Sequence, residues 1–205
     1  METTLYPALL GLALAASTGL NTFLPLLMLS VAAHFKIVNA ENLLNGHFAW
    51  IASPAALTAL GLATVVEVVG DKIPVVDHGL DTFGTIARPL VGAFAAASVF
   101  VHSDPTTAAL AGLVVGAPVA FGFHAAKAGT RAASTATTLG VANPLLSTIE
   151  DFASFGLTAV GLMYPMLVPV LLVIAAFVMW RLFVKARKAL GGMSGVLGRA
   201  PVRLS

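Results

Sequence analysis

Six of the nine carboxylates in this chain fall in two short stretches. Glu67, Asp71, Asp77 and Asp81 lie within EVVGDKIPVVDHGLD (67–81), and Glu150 and Asp151 are neighbours further on. Glu67 and Asp71 are four residues apart, as are Asp77 and Asp81, so on a helix each pair would share a face and repel. Lys72, Arg88, Lys127 and Arg131 are the cations available to offset them. Three chemistries suit such a set. Carboxylate oxygens bind hard cations, although no D-x-D-x-D-G loop occurs and the identity of any metal is left open. A carboxylate beside His78 or His124 could couple to protons. Arg88, Lys127 and Arg131, together with half-helix N-termini, could hold a phosphate or a lipid headgroup.

The plainest alternative is a solvated loop at 67–81 in which Asp77 or Asp81 caps the next helix. Glu67 resists that reading, because it follows ALGLATVV and precedes another VV. Ionisable groups at membrane depth are costly and usually face a partner or a wet cavity. Asp81, Glu150 and Asp151 also adjoin long apolar segments. The expectation is one shared polar site containing Glu67, Asp71, Asp77, Asp81, Arg88, Arg131, Glu150 and Asp151, with Lys72, His78, His124 and Lys127 as further candidates. Asp81 and Arg88 are seven apart and would share a helical face, but Pro89 predicts irregular backbone there.

Composition says what must carry these residues. The chain is 58% hydrophobic and 10% charged, against about 25% charged in a typical soluble domain. Too little charge is available to cover a water-exposed surface, so the chain is expected in a membrane. No cysteine is present, which excludes disulfides and thiolate metal sites. No cofactor is implied. Catalytic motifs are missing: no D-G-x-x-A-R stretch, no G-x-S-x-G and no H-E-x-x-H. An enzyme is therefore not expected.

Six apolar segments approach the roughly 20 residues that a span needs: 5–33, 50–69, 82–102, 106–126, 144–163 and 165–184. The predicted fold is an all-α polytopic transmembrane bundle with broken or re-entrant segments. Within the first segment, ASTGLNTFLP holds Gly19, Asn21 and Pro25 and predicts a break. GLMYPMLVP predicts a tight hairpin between the last two. With six spans and both ends cytoplasmic, ten of the eleven Lys and Arg lie inside and only Lys36 outside. A five-span arrangement gives seven against four, so the positive-inside rule favours six. Residues 34–49 and 102–105 become the external loops. Residues 1–184 then form a single membrane domain, followed by a basic cytoplasmic tail at 185–205. Six of the eleven Lys and Arg lie from Arg181 onward. That tail suits anionic lipid headgroups, at about 1 kcal/mol per basic residue. It lacks the interleaved aromatics of a nucleic-acid binder. The GLVVG spacing at 112–116, and Gly92 with Ala96, suit close helix packing rather than chemistry.

Two stretches are alike at an offset of 70. GDKIPVVDHGLD (70–81) and GVANPLLSTIED (140–151) share Gly70/Gly140, Pro74/Pro144 and Asp81/Asp151. This is a weak internal repeat, of the kind from which many transporters are built. Together GLNTFLPLL (19–27), the 67–81 stretch, ARPLVGA (87–93), KAGTRAAST (127–135) and NPLLSTIED (143–151) resemble a family of small bacterial integral membrane proteins carrying a domain of unknown function. The family pattern has Arg where this chain has Asn21. The resemblance implies a membrane fold in the bacterial inner membrane and draws attention to Asn21, Lys72, Pro74, Asn143 and Pro144 beside the charged set. The expected function is a small transporter or channel-like protein taking a small ion or phosphate-bearing ligand, with self-association left open. A flippase or scramblase for a phosphate-bearing lipid is the first alternative, and a scaffold binding partner helices the second.

Overall fold

The computed structural model describes residues 2–38, 43–101, 103–178, 180, 181 and 184, without the side chains of residues 2–4, 74, 75 and 78. The expected tail at 185–205 and the His78 side chain therefore lie outside the described residues. All regular structure among the described residues is helical. The elements are α1 (Glu2–Leu20), α2 (Leu24–His34), a 3-10 segment (Gly46–Ala52), α3 (Pro54–Gly70), α4 (Pro74–Ser98), α5 (Pro105–Ala111), a π-helical turn (Gly112–Gly116), α6 (Ala117–Thr138) and α7 (Asn143–Met163). A last helix, α8, covers Pro165–Val178 and opens with a 3-10 turn.

Proline sets the register of the whole fold. α2, α3, α4, α5 and α7 each carry one within the first two positions. There the missing N–H has no helical partner to lose, and the fixed φ suits the helix. Ser53 and Asp104 cap α3 and α5 through their side chains. α6 ends where Leu139 and Gly140 turn to φ of 54° and 83°, a left-handed stop that glycine tolerates without strain.

Several expectations shift. The break in the first apolar segment is present, between Leu20 and Leu24. The alternative of a solvated loop at 67–81 gives way to a connection of residues 71–73 alone, because α3 runs to Gly70 and Pro74 starts α4, placing Asp77 and Asp81 on helix. Pro89 lies inside that helix rather than in irregular backbone. The fourth segment runs past 126, since α5, the π turn and α6 form one 34-residue helix, Pro105–Thr138. Nothing between Pro118 and Leu139 breaks it, so KAGTRAAST lies on α6. The 3-10 segment and α3 meet at a bend of 65°.

Two helices are long and apolar enough to cross a membrane, Pro105–Thr138 and Asn143–Met163, or three if the bent pair counts as one span. α1, α2 and α8 are apolar but shorter among the described residues. α4 is long enough, at about 37 Å for 1.5 Å per residue, but carries Asp77, Asp81 and Arg88.

α1 lies at the centre, packed on α4, α6 and α7. Close packing there depends on missing side chains. A Cβ on Gly116 would lie 2.6 Å from the Gly92 carbonyl oxygen, and one on Gly112 would strike the Ala93 carbonyl. The π turn thus presses flat onto α4, as small-residue spacings allow. Gly161 meets Ala13 of α1 in the same way. One apolar core gathers Leu10, Leu14, Leu29, Leu43, Ile51 and Val99. Outward, Val66, Phe83, Ile86, Leu90, Val114, Phe152 and Val173 are exposed, whereas Arg88, Lys127, Arg131 and Glu67 are buried. Apolar outside and charged inside inverts the arrangement water requires, and is consistent with a membrane protein.

Candidate functional site

The break between α1 and α2 builds the first part of the site. An interrupted helix leaves backbone N–H groups without partners, and Phe23, at the cap of α2, offers no side-chain bond. Glu67 supplies one from α3. The Thr22 backbone N–H donates to both Glu67 oxygens at 2.9 Å, Thr22 Oγ1 donates to Oε1 at 2.7 Å, and the Phe23 N–H donates to Oε2 at 3.1 Å. The Leu24 N–H donates to Asn21 Oδ1 at 3.0 Å. A carboxylate at a helix start also meets the positive end of the helix dipole. Glu67 is thereby spent on holding the break, a role its position in an apolar run did not disclose.

Arg88, 0% exposed, joins this cap to α6. Its Nη2 donates to Glu67 Oε1 at 3.3 Å, its Nε to Thr22 Oγ1 at 3.3 Å and its Nη1 to His124 Nδ1 at 2.7 Å. A guanidinium can only donate, so His124 Nδ1 accepts and the ring proton lies on Nε2. That proton points at Thr85 Oγ1, 3.1 Å away, and the same hydroxyl donates to the Asp81 carbonyl at 3.1 Å. His124 of α6 thus bonds two side chains of α4, Arg88 and Thr85.

One and two turns further along α6 stand Lys127 and Arg131. Lys127 Nζ donates to the Leu20 carbonyl at 3.0 Å, at the last turn of α1, and to Asp71 Oδ2 at 3.0 Å. Glu150 Oε2 lies 3.4 Å from it and Asp81 Oδ1 4.0 Å. A cation at a helix C-terminus complements the dipole, so the two ends of the α1–α2 break carry opposite charges. Arg131 donates through Nη2 to Asp71 at 3.2 Å and to Glu150 at 2.6 Å, and through Nη1 to Asp77; Asp81 Oδ2 lies 3.6 Å from Nη1. At the edge, Asp151 accepts from Asn21 Nδ2 at 2.9 Å and from Lys72 Nζ at 3.1 Å.

All six expected carboxylates thus converge with Arg88, Arg131, Lys127 and Lys72. Among the described residues, six carboxylates face four cations, an excess of two negative charges when all are ionised. Asp71 Oδ1 is buried without a hydrogen bond. Beside the network, α4 and α6 flank a groove of about 570 Å³. Asp77, Asp81, Thr85, His124 and Arg131 line it, with Asn143 at the start of α7. Asn143 donates to Thr135 Oγ1 at 3.1 Å. Glu67, Asp71, Glu150, Asp151, Lys72 and Asn21 do not reach this groove. Among the described residues, no group of three His, Asp or Glu side chains could hold a metal ion.

The sequence pattern missed Thr22, Thr85, Thr135 and the Leu20 carbonyl. Thr22 had one available signal, its place between a helix-breaking Asn21 and Pro25. The others had none, because only packing brings them to the charges. The Gly70–Pro74 and Gly140–Pro144 stretches do play parallel roles, each ending in the proline that starts a long helix, α4 or α7. A family model described as a domain of unknown function, DUF4126, matches residues 8–185. No curated protein and no solved structure matches the chain.

Proposed function

Since the chain belongs to the DUF4126 family, whose description carries no activity, we propose a function from the site itself: a small transporter or channel-like protein of the bacterial inner membrane. The proposal includes about six spans with both termini cytoplasmic, which puts Lys72, Lys127 and Arg131 on the inner side as the positive-inside rule favours. The observation that carries it is the unbalanced network. Six carboxylates and four cations are gathered around a broken helix, beside a groove whose wall includes Asp77, Asp81 and Arg131. Broken helices with charged groups at their ends are how many transporters build ion and substrate sites. A purely structural network gains nothing from two surplus negative charges, since buried unpaired charge is costly. A transport site gains a place for a proton or a cation. The lipid-flipping alternative draws less support, because Arg131, the one cation lining the groove among the described residues, already faces three carboxylates.

The test is charge and proton movement in proteoliposomes, wild type against Asp81→Asn. A solute- or proton-dependent flux that falls at least tenfold in the variant is the expected result. Wild-type vesicles that carry no cation, proton or anion, while charge substitutions alter copurification of other membrane proteins, would overturn it in favour of a scaffold.

A further inference from the structure

We propose that the seam between α1 and α7 is a proton path, a file of water molecules hung on buried hydroxyl groups that leads from the charged network toward the bilayer centre. The inference rests on the transport reading and names the proton as the species moved.

Three hydroxyls carry it. Ser17 Oγ, Ser147 Oγ and Thr158 Oγ1 are buried without a partner in the protein, and all three residues are 0% exposed. A Ser or Thr inside a helix commonly bonds its hydroxyl to the carbonyl three or four residues back. Thr18, Thr85, Ser98 and Thr148 do so here, whereas these three do not. Buried polar groups pair with protein or with ordered water. A hydroxyl both donates and accepts, and a buried water answers both needs, making about three such bonds.

Their placement forms a line. At about 100° per residue, Ser147, Glu150, Ser154, Thr158 and Gly161 of α7 fall within about 80° of one another. All of them except Gly161 are buried, polar and on one helix that is long and apolar enough to cross a membrane. Two contacts fix that face against α1. Ser154 Oγ donates to the Ser17 carbonyl at 3.1 Å, and Gly161 packs on Ala13. Four residues of helix rise about 6 Å, close to the length of two O–H···O bonds of about 2.8 Å each. One water therefore bridges each such step, from Glu150 to Ser154 and from Ser154 to Thr158.

The two ends of the file differ. At one end Glu150 lies against Arg131 and Lys127, inside the network. At the other, Gly161 meets Ala13 too closely to admit a Cβ, so the file stops after Thr158. From Ser147 to Thr158 it covers about 17 Å, roughly half of the hydrocarbon core. Passage to the far side requires α1 and α7 to part at Gly161. A hard metal cation takes about six oxygens around one point, more than any level of this seam presents. A proton needs only an unbroken chain of hydrogen bonds. When it joins one water, another proton leaves the far side of that water, so charge advances while waters and hydroxyls stay as they were.

The experiment uses the full-length protein in phosphatidylethanolamine–phosphatidylglycerol vesicles loaded with pyranine, with a potassium gradient and valinomycin driving proton entry. Proton flux above that of protein-free vesicles is expected. Thr158→Val keeps the side-chain shape and removes the hydroxyl, so flux should fall at least tenfold, and Thr158→Ser should restore it. Ser147→Ala gives the same test at a second site should Thr158→Val fail to fold. Thr148→Val, whose hydroxyl serves its own helix, should leave flux unchanged. Because the chain has no cysteine, Thr158→Cys reports hydration directly, and its thiol should react with silver ion added to the protein in detergent. Equal proton flux in wild type, Thr158→Val and Ser147→Ala, or a Thr158→Cys thiol shielded from silver, would overturn the path. Sodium or phosphate flux without proton flux also overturns it and leaves transport standing, whereas vesicles that move no solute remove both readings.

Discussion

Glu67→Gln is the sharpest perturbation of the network, because it keeps the shape of the side chain and removes only its charge. In the wild type the Glu67 carboxylate accepts from the Thr22 and Phe23 N–H groups, from the Thr22 hydroxyl and from Arg88. Glutamine keeps one acceptor oxygen. Its amide nitrogen is turned toward groups that are themselves donors, and Arg88 loses its closest carboxylate. Removing one partner of a buried ion pair costs about 3–5 kcal/mol. Asp81 Oδ1 remains 3.6 Å from Arg88 Nη1, which places the loss at the lower end, about 3 kcal/mol. For a chain of this length each kcal/mol moves the melting temperature by about 2–4 °C, so a fall of about 6–12 °C is expected. Intrinsic fluorescence of Trp50 and Trp180 during thermal unfolding in detergent is the assay. Adding Arg88→Met removes the stranded cation, so the double variant should cost about 1–3 kcal/mol less than the sum of the singles. A Glu67→Gln protein melting within about 2 °C of wild type, well under the shift expected for losing such a pair, would refute the claim that this carboxylate holds the α1–α2 break.

Four further outcomes are expected. Lys127→Met strips the last turn of α1 and leaves Asp71 and Glu150 with one cation fewer, costing about 3–5 kcal/mol by thermal unfolding. Lys72→Ala, whose side chain is 37% exposed in its pair with Asp151, should cost no more than about 1 kcal/mol. Gly112→Leu should abolish recovery of folded protein on size exclusion by forcing α4 from the π turn, while Gly122→Ala, with open space around it, should leave the elution profile unchanged. The Thr107 hydroxyl and backbone N–H, donating to Asp104, hold its carboxyl below the usual range. A depressed carboxyl contributes stability above its unfolded value of about 4, and loses it as pH falls further. Amide exchange at Thr106 and Thr107, corrected for intrinsic rates, should therefore accelerate in acid in wild type and already be fast at neutral pH in Asp104→Ala.

Much of this protein was legible in its sequence because the signals are local or compositional. A chain 58% hydrophobic and 10% charged cannot cover itself for water, and its helices do turn apolar side chains outward. The breaks at Asn21–Pro25 and at Tyr164–Pro165 follow from proline chemistry at single positions. The gathering of Glu67, Asp81, Glu150 and Asp151 into one region follows from the cost of leaving charge unpaired among apolar neighbours.

Only the tertiary structure decided how those charges are shared. Hydrophobic runs locate a helix but misjudge its ends when the next residues are charged, so α4 begins at Pro74 and α6 continues to Thr138 once their charges find each other. Glu67 and Asp71 look equivalent as a pair four residues apart. Packing gives one to the open end of α2 and the other to Lys127 and Arg131. No spacing in the chain relates Glu67 to Thr22, 45 residues earlier, because an ion pair is selected by distance in space. The division of six carboxylates among four cations, and the groove left beside them, are properties of helices held close by Gly92, Gly112 and Gly116.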